Sequence, residues 1–156
     1  FYMAIEEVRD FLKSYGKDKY IREFDTSSAT VELAAEALDV EPARIAKSLT
    51  FKNNEMCIMV VTAGDRKVDN RKFKDEFGIK AKMLSPDEVY EFTGHKIGGV
   101  CPFGIDLDKV QVYCDKSMER FQTVFPACGS SNSAIELTLE ELFKLSNALK
   151  WVDVCK

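Results

Sequence analysis

Residues 94–104 hold the most unusual composition of the chain, with four glycines, one proline and one aromatic residue in eleven positions. Helices and central strands disfavour this composition, so the sequence predicts a shaped loop. Glycine lets a ligand approach the main chain closely, and the amide N–H groups of such a loop can bind a phosphate, a carboxylate or a developing oxyanion. An ordinary connecting loop would have a similar composition, and the residues alone leave both interpretations open.

A second turn of small residues, Gly129-Ser130-Ser131-Asn132, could present amide groups in the same way. Neither turn carries a nucleotide-binding signature. The chain has no GxxxxGK[ST] motif, and no GxGxxG follows a predicted strand and opens a helix. A nucleotide-dependent enzyme is therefore disfavoured.

Lys47 interrupts an apolar row. If residues 45–51 are extended, Ile45, Lys47, Leu49 and Phe51 share one face of a strand. Because an unpaired lysine is costly to bury, its ammonium should reach either water or an anionic group. Both alternatives remain open: a packed stem with a solvated ammonium, or a cation that binds a ligand.

The segment 64–74 carries five basic and two acidic residues in a chain whose net charge is −4. Such a patch could contact a phosphodiester backbone, and a solvated helix face is the simpler alternative. The acidic overall balance excludes a protein that coats nucleic acid in bulk. No apolar run reaches the roughly 18 residues of a membrane span.

His95 is the single histidine, so a histidine metal cluster is excluded and we expect no metal and no cofactor. Cys101 lies within the glycine loop and could be a nucleophile, although no base is identifiable. The five cysteines are odd in number and include no CxxC pair, which argues against a disulfide framework. A reducing cytoplasm is the expected location.

Hydrophobic periodicity and turn residues predict the elements that would position these residues. We expect one α/β domain over residues 1–156, with a mixed sheet. Residues 56–61 are apolar on both faces, which predicts a central strand covered on both sides. The predicted helices are 5–15, 30–38, 69–77, 85–94 and 138–145, with a short helical turn at Pro42. The predicted strands are 20–24, a hairpin of 49–52 and 56–62, and then 80–84, 110–114, 123–127 and 134–137.

These segments, in this order, resemble the YbaK/prolyl-tRNA synthetase-associated domain, an editing domain that hydrolyses mischarged aminoacyl-tRNA. The resemblance covers about residues 25–145 of the chain. The matching segments are the alanine-rich helix 30–38, the lysine segment 45–49, the strand-to-turn 61–66, the glycine loop 98–104, and the last turn and strand 128–138.

The resemblance implies an α/β fold of the α+β type, with a mixed, partly barrel-like β-sheet surrounded by helices. It implies a metal-independent, cofactor-free deacylase that removes a small mischarged amino acid, Cys or Ala, from tRNA, with tRNA(Pro) as the expected tRNA. A chain of 156 residues has no room for a synthetase catalytic domain, so we expect a trans-acting, monomeric protein. Its expected partners are the tRNA acceptor end and, as a further candidate, an aminoacyl-tRNA synthetase.

The resemblance also implies site residues. Lys47 would be an electrostatic and positioning cation next to phosphate or ribose, and the amides of Gly98, Gly99 and Val100 would orient the carbonyl. The substrate-binding residues would be Thr26, Ser27, Ser48, Gly64, Asp65, Cys101, Pro102, Phe103, Gly129 and Ser130. The tRNA-binding residues would be Arg66, Lys67, Arg71 and Lys72.

Cys101 departs from the family pattern, in which other small residues or proline are common, and this leaves the choice of amino acid open. A non-catalytic module that binds the tRNA end or accompanies a synthetase is the alternative function. An unrelated small-molecule binder is a further, smaller alternative.

Overall fold

A six-stranded mixed sheet organises residues 4–156, the part of the chain that the computed structural model describes. The strands are β1 (Arg22–Glu23), β2 (Ile45–Asn53), β3 (Met56–Ala63), β4 (Val110–Asp115), β5 (Thr123–Pro126), β6 (Ser133–Ala134), β7 (Leu137–Thr138) and β8 (Trp151–Val152). The sheet order is β7-β5-β2-β3-β4-β8, and β1 pairs with β6 in a separate two-stranded ladder. The sheet curls into a half-barrel, which confirms the expected α/β fold with a mixed, partly barrel-like sheet.

Five α-helices surround the sheet within the described residues. They are α1 (Ala4–Lys13), α2 (Val31–Leu38), α3 (Asn70–Phe77), α4 (Pro86–Thr93) and α5 (Leu139–Leu145). Local capping explains where several of them begin. Ser85 and Thr138 each form a capping box, with Glu88 and Glu141 respectively, and Asp69 accepts hydrogen bonds from the first amides of α3. These helices lie where the sequence predicts them.

The β2–β3 hairpin forms the centre of the sheet. The two strands pair in antiparallel register, with Lys47 opposite Thr62, and Asn54 takes the left-handed conformation in the turn with φ 57°. From Cys57 to Ala63, β3 is buried throughout and lies between β2 and β4. The prediction of a central strand covered on both faces is therefore confirmed.

Three predicted strands need correction. Residues 80–84 form no strand but a single bridge, Met83 to Phe51, because Ser85 begins α4 directly afterwards. The predicted strand 134–137 is divided into β6 and β7, since Ala134 pairs with Arg22 whereas Leu137 pairs with Val124. In the segment 20–24 only β1 pairs as a strand, after a 3-10 turn over Asp18–Tyr20.

Apolar side chains fill both faces of the sheet. The largest cluster lies on one face and includes residues of α1, α4 and α5, whereas Phe73 of α3 packs on the other face against Phe51 and Val60. A third cluster joins α2 to the beginning of β2 and to Phe125. All five cysteines are buried and free, so no disulfide stabilises the described chain.

The outer edge of β2 is covered only in part. At its beginning, Ile45 and Ala46 pair in parallel with β5. Near its end, the Lys52 N–H donates to the Lys82 carbonyl at 2.8 Å, and the Leu84 N–H donates to the Thr50 carbonyl at 3.2 Å. No strand of the described chain pairs with this edge over residues 47–49. This interruption in the sheet is where the functional residues gather.

Candidate functional site

A cavity of about 270 Å³ opens beside the uncovered edge of β2. Its walls come from the segment that leads into α2, from β2 itself, from the glycine loop, and from β5 and β6. Most of the lining is apolar, with Val31, Val100 and Phe125 among the contributors. Two apolar side chains at the cavity, Met83 and Ile97, are 58% and 61% exposed, so they form part of its rim.

Lys47 lines this cavity and is half-buried. Its Nζ donates a hydrogen bond to the main-chain carbonyl of Arg66. Burial lowers the pKa of Lys47 below the usual value of 10.5, because desolvation penalises the ammonium, and Cys155, Asp65 and Glu32 oppose this effect. Within residues 4–156 no carboxylate forms an ion pair with Lys47, so an incoming anion would meet a cation that is held only by a carbonyl.

Ser48 lines the same cavity from the opposite face of the strand. Its Oγ is buried and has no hydrogen-bond partner among the described residues. Buried hydroxyl groups are usually paired, so Ser48 is an exception among the described residues. The structure thus brings together Lys47, Ser48, Gly98 and Val100 of the predicted site around one cavity.

The two glycine turns lie against each other. A Cβ added to Gly99 would stand 2.8 Å from the Ser130 nitrogen and 2.9 Å from the Gly129 carbonyl carbon, so only glycine permits this approach. Gly98 faces the first cavity, whereas Gly99, Gly129 and Ser130 line a second cavity, also of about 270 Å³, on the other side of the loop.

Cys101, Pro102 and Phe103 are buried in the core and are absent from the described lining of either cavity. The structure places the Cys101 Sγ 3.5 Å from Nε2 of His95, a pairing that sequence spacing did not reveal. Burial raises the pKa of the Cys101 thiol to about 12 and lowers the pKa of His95. The thiol is therefore protonated and shielded from solvent at neutral pH, which does not favour a nucleophile.

The segment before α2 contributes Ser28 to the first cavity, directly after Thr26 and Ser27, which the resemblance implies as substrate-binding residues. Thr26 and Ser27 are exposed, whereas Ser28 is buried and lines the cavity. The Ser28 N–H donates to the Ser131 carbonyl at 2.6 Å and fixes this segment to the second glycine turn. Substrate binding by Thr26 and Ser27 stays a prediction. The segment has no regular secondary structure to supply a period, so sequence spacing does not indicate which of its residues reaches the cavity.

Gly64 and Asp65 form the turn directly before Arg66, whose carbonyl accepts the hydrogen bond from Lys47. Gly64 packs against the Pro42 carbonyl and the Val31 side chain so closely that a Cβ would collide with both. Asp65 forms two hydrogen bonds with the Arg120 guanidinium, at 3.0 and 2.7 Å, and this contact lowers the pKa of Asp65. This turn therefore holds the Arg66 carbonyl in place for Lys47.

The predicted tRNA-binding residues differ in how free their charges are. Arg66 lies 3.7 Å from Asp65, and Nζ of Lys72 lies 3.2 Å from Asp153 and 2.9 Å from the Cys155 carbonyl. Lys67 pairs through its main chain with Lys156, and Arg71 is exposed at the beginning of α3. Part of the positive charge in this segment is thus already neutralised.

Over the described residues, no three His, Cys, Asp or Glu side chains form a group that could hold a metal ion. In the same part of the chain, no helix has the length and apolar character needed to cross a membrane. The polar side chains at the first cavity are those of Lys47 and of serine and threonine residues, which are Ser28, Thr30, Ser48, Thr50 and Ser133.

Comparison with known proteins gives a consistent result. The family described as "Aminoacyl-tRNA editing domain" matches residues 25–145. The uncharacterized protein YwhH of Bacillus subtilis (strain 168) is 55% identical over 155 residues, which cover 99% of this chain and 98% of that protein. The proline–tRNA ligase of Thermotoga maritima is 28% identical over 126 residues, which cover 77% of this chain and 22% of the ligase.

Among solved structures, one described as a candidate trans-editing enzyme for prolyl tRNA synthetase superposes with a TM-score of 0.88 at 27% identity. The superposition covers 100% of this chain and 99% of that one. The similarity in fold therefore extends over the whole chain. The chain belongs to the aminoacyl-tRNA editing domain family, and it is related to the domains that carry out editing for prolyl-tRNA synthetase.

Proposed function

We propose that this chain is a trans-acting deacylase that hydrolyses the ester between a small amino acid and the 3′ adenosine of tRNA. The observation that carries the proposal is the convergence of Lys47, Ser48 and the glycine loop on one cavity in a chain of the editing family. An ammonium that is bound to a carbonyl but to no carboxylate, together with main-chain amides, is suited to a phosphate and an ester carbonyl.

The size of the cavity supports a small aminoacyl group. Its volume of about 270 Å³ lies below the roughly 300–1,000 Å³ of sites that hold drug-sized ligands. Its apolar walls would accept a short side chain such as that of alanine or cysteine, and sterics would exclude a larger one. Because an apolar pocket distinguishes neighbours by only about 1–3 kcal/mol per methylene, a separate editing step is useful to a synthetase.

Lys47 would act through its charge. Desolvation penalises its ammonium in the protein without a ligand, so a phosphate at the cavity would gain a strong electrostatic partner. The negative charge of the phosphate would in turn raise the pKa of Lys47 towards its usual value. A lysine beside phosphate remains protonated, which favours positioning and charge stabilisation over a role as general base. To reach the phosphate, Nζ would exchange its bond with the Arg66 carbonyl.

The glycine loop would orient the reacting carbonyl. Gly98 and Val100 lie at the cavity, and main-chain amides in such a loop can stabilise the oxyanion that forms when water attacks. The substrate's own ribose hydroxyl and nearby main-chain groups would hold that water. Cys101 and His95 have no part in this proposal, because both are buried away from the cavity.

The partner would be the acceptor end of tRNA, with tRNA(Pro) as the preferred tRNA and a prolyl-tRNA synthetase as the enzyme whose errors are corrected. Relationship to proline–tRNA ligases supports this choice, although the shared segment is only 22% of the Thermotoga ligase. Charged tRNA is a cytoplasmic substrate, so we place the activity there, and we propose a monomer as the active form.

A deacylation panel tests the proposal. Wild type, Lys47→Ala and the control Lys144→Ala, which removes an exposed lysine of α5, are each mixed with tRNA(Pro) charged with alanine, cysteine, serine or proline, with EDTA present. We expect selective loss of one small amino acid, reduced at least 100-fold in Lys47→Ala and unchanged in Lys144→Ala.

Survival of every ester in the presence of wild-type protein would contradict the deacylase and favour a module that only binds the tRNA end. Full activity of a folded Lys47→Ala protein would contradict the role of that lysine. Loss of activity with EDTA would contradict the metal-independent reaction.

A further inference from the structure

Ser48 has main-chain groups that point into the cavity. In a β-strand the N–H and C=O of one residue point to the same edge, and this edge alternates along the chain. The N–H of Lys52 and the C=O of Thr50 both bond outwards, to the segment 82–84. Ser48, two residues before Thr50, therefore directs its own N–H and C=O to the same outer edge.

That outer edge is uncovered at Ser48. On one side β5 pairs with Ala46, and on the other side Leu84 pairs with Thr50. Residues 46 and 50 are about 13 Å apart along a strand, at 3.3 Å per residue. The space between them is occupied by the cavity, and no described residue forms a hydrogen bond with the Ser48 main chain in it.

Ser48 thus directs two main-chain groups without a described partner, its N–H and its C=O, to one cavity. Main-chain groups in protein interiors are nearly always paired. A sheet edge that is closed on both sides and open for one residue has the shape of a binding position for one residue of another chain.

We propose that the aminoacyl group binds to Ser48 as a single bridging residue of an antiparallel sheet. The Ser48 N–H donates to the ester carbonyl of the substrate, and the Ser48 C=O accepts a hydrogen bond from the substrate's α-ammonium. This inference rests on the proposed function and specifies its substrate class, an aminoacyl ester with a free α-ammonium. An ester whose amino group is acylated loses the charge and clashes with the same edge.

The bridge also has a catalytic consequence. When water attacks the ester, negative charge develops on the carbonyl oxygen that the Ser48 N–H already contacts. A donor in this position stabilises the transition state more than the ground state, and its loss commonly lowers kcat about 10²–10³-fold.

The first test compares two esters that differ only at the amino group. The tRNA charged with the amino acid that wild type hydrolyses fastest is prepared with a free amino group and with an N-acetyl group, and single-turnover rates are measured. We expect at least 100-fold slower hydrolysis of the acetylated ester. Equal rates within threefold would overturn the bridge while leaving the deacylase in place.

The second test changes the protein. Ser48→Pro removes an N–H that no described strand accepts, and Ser48→Ala removes only the hydroxyl. We expect Ser48→Pro to lower kcat at least 100-fold at a thermal midpoint close to that of wild type, and Ser48→Ala to retain the preference for the free amine. A folded Ser48→Pro protein with wild-type kcat would overturn the proposal.

A binding measurement keeps the proposal testable even if no ester is hydrolysed. Alanyl-adenosine with an amide link in place of the ester is titrated into the protein, with and without an N-acetyl group, and the NMR shifts of main-chain amides are followed. We expect the largest shift at Ser48 and at least 20-fold weaker binding of the acetylated compound. Equal binding, or shifts confined to the second cavity, would overturn the bridge independently of catalysis.

Discussion

Lys47 and Ser48 are neighbours in sequence that present different chemistry to one cavity. Lys47 brings a partly desolvated ammonium on one face of β2, and Ser48 brings an unpaired hydroxyl on the other. The two are combined because the cavity reaches around the uncovered edge of the strand. A substrate with a phosphate and an aminoacyl group could therefore contact both residues without a change in the sheet.

His95 makes stability depend on pH. Burial holds its pKa below the usual 6.5, so between these values the unfolded chain binds a proton that the folded chain does not. The contribution of neutral His95 to the free energy of unfolding is fully present above pH 6.5. It decreases as the pH falls, by up to about 1.4 kcal/mol per pH unit for one group. We expect His95→Gln to flatten this dependence in urea unfolding between pH 7.5 and pH 5.

The difference between the two proteins isolates His95, because carboxylates such as Glu88 titrate in both. Parallel pH profiles for wild type and His95→Gln would show that the imidazole is protonated equally in the folded and unfolded states. This would contradict the effect of burial.

Sequence reasoning finds residues whose chemistry conflicts with their local pattern. Lys47 is visible because it interrupts an apolar row, and the glycine loop is visible by composition. The pairing of Cys101 with His95 and the position of Ser28 are not visible, since both depend on how irregular segments fold over the sheet. Composition alone does not separate a cysteine that lines a cavity from one buried behind it.

At the level of elements, the C-terminal segment 153–156 supports the lysine site. It pairs with residues 67–69, through bonds between Lys67 and Lys156 and from the Asp69 N–H to the Val154 carbonyl. The buried Asp115 carboxylate fixes this segment, since it accepts hydrogen bonds from the Val154 and Ser117 N–H groups, each at 2.9 Å. The segment therefore braces the turn whose Arg66 carbonyl holds Lys47.

We expect Asp115→Ala to loosen this arrangement. It would leave two main-chain N–H groups unpaired and lower the free energy of unfolding by about 2–5 kcal/mol. Hydrogen exchange should accelerate first at residues 67–69 and 153–156. The matched control is Asp153→Ala, which removes an exposed carboxylate from the same segment and should change stability by under about 1 kcal/mol. Unchanged exchange at residues 67–69 in Asp115→Ala would contradict the bracing role.

Elements with strong local signals were predictable, and those defined by a distant partner were not. The capping boxes at Ser85 and Thr138 mark the beginnings of α4 and α5 in the sequence itself. β8 is two residues long and exists because it pairs with Cys114 and Asp115, which its own residues do not indicate. The uncovered edge at Ser48 likewise follows from where β5 and residues 82–84 end.

At the level of the whole molecule, net charge limits tRNA affinity. The chain carries −4, and Arg66 and Lys72 already contact carboxylates. Few phosphates can then be neutralised, so we expect a shallow salt dependence of tRNA binding, with a slope of log Kobs against log salt of about −2 to −4.

Arg71→Ala should reduce that slope by about 1, because Arg71 is exposed on α3 and can contact a phosphate. Lys144→Ala is the control, since α5 packs on the opposite face of the sheet from α3. Filter binding between 50 and 200 mM salt measures both. An equal change in slope for the two variants would contradict a tRNA path along α3.

A crystal structure of the protein with amide-linked alanyl-adenosine would test the proposed site most directly. The predicted result is an alanyl group in the cavity beside β2, with its carbonyl at the Ser48 N–H and the adenosine directed towards Lys47. Adenosine bound in the second cavity, or an alanyl group without contact to either residue, would contradict the site proposed for hydrolysis.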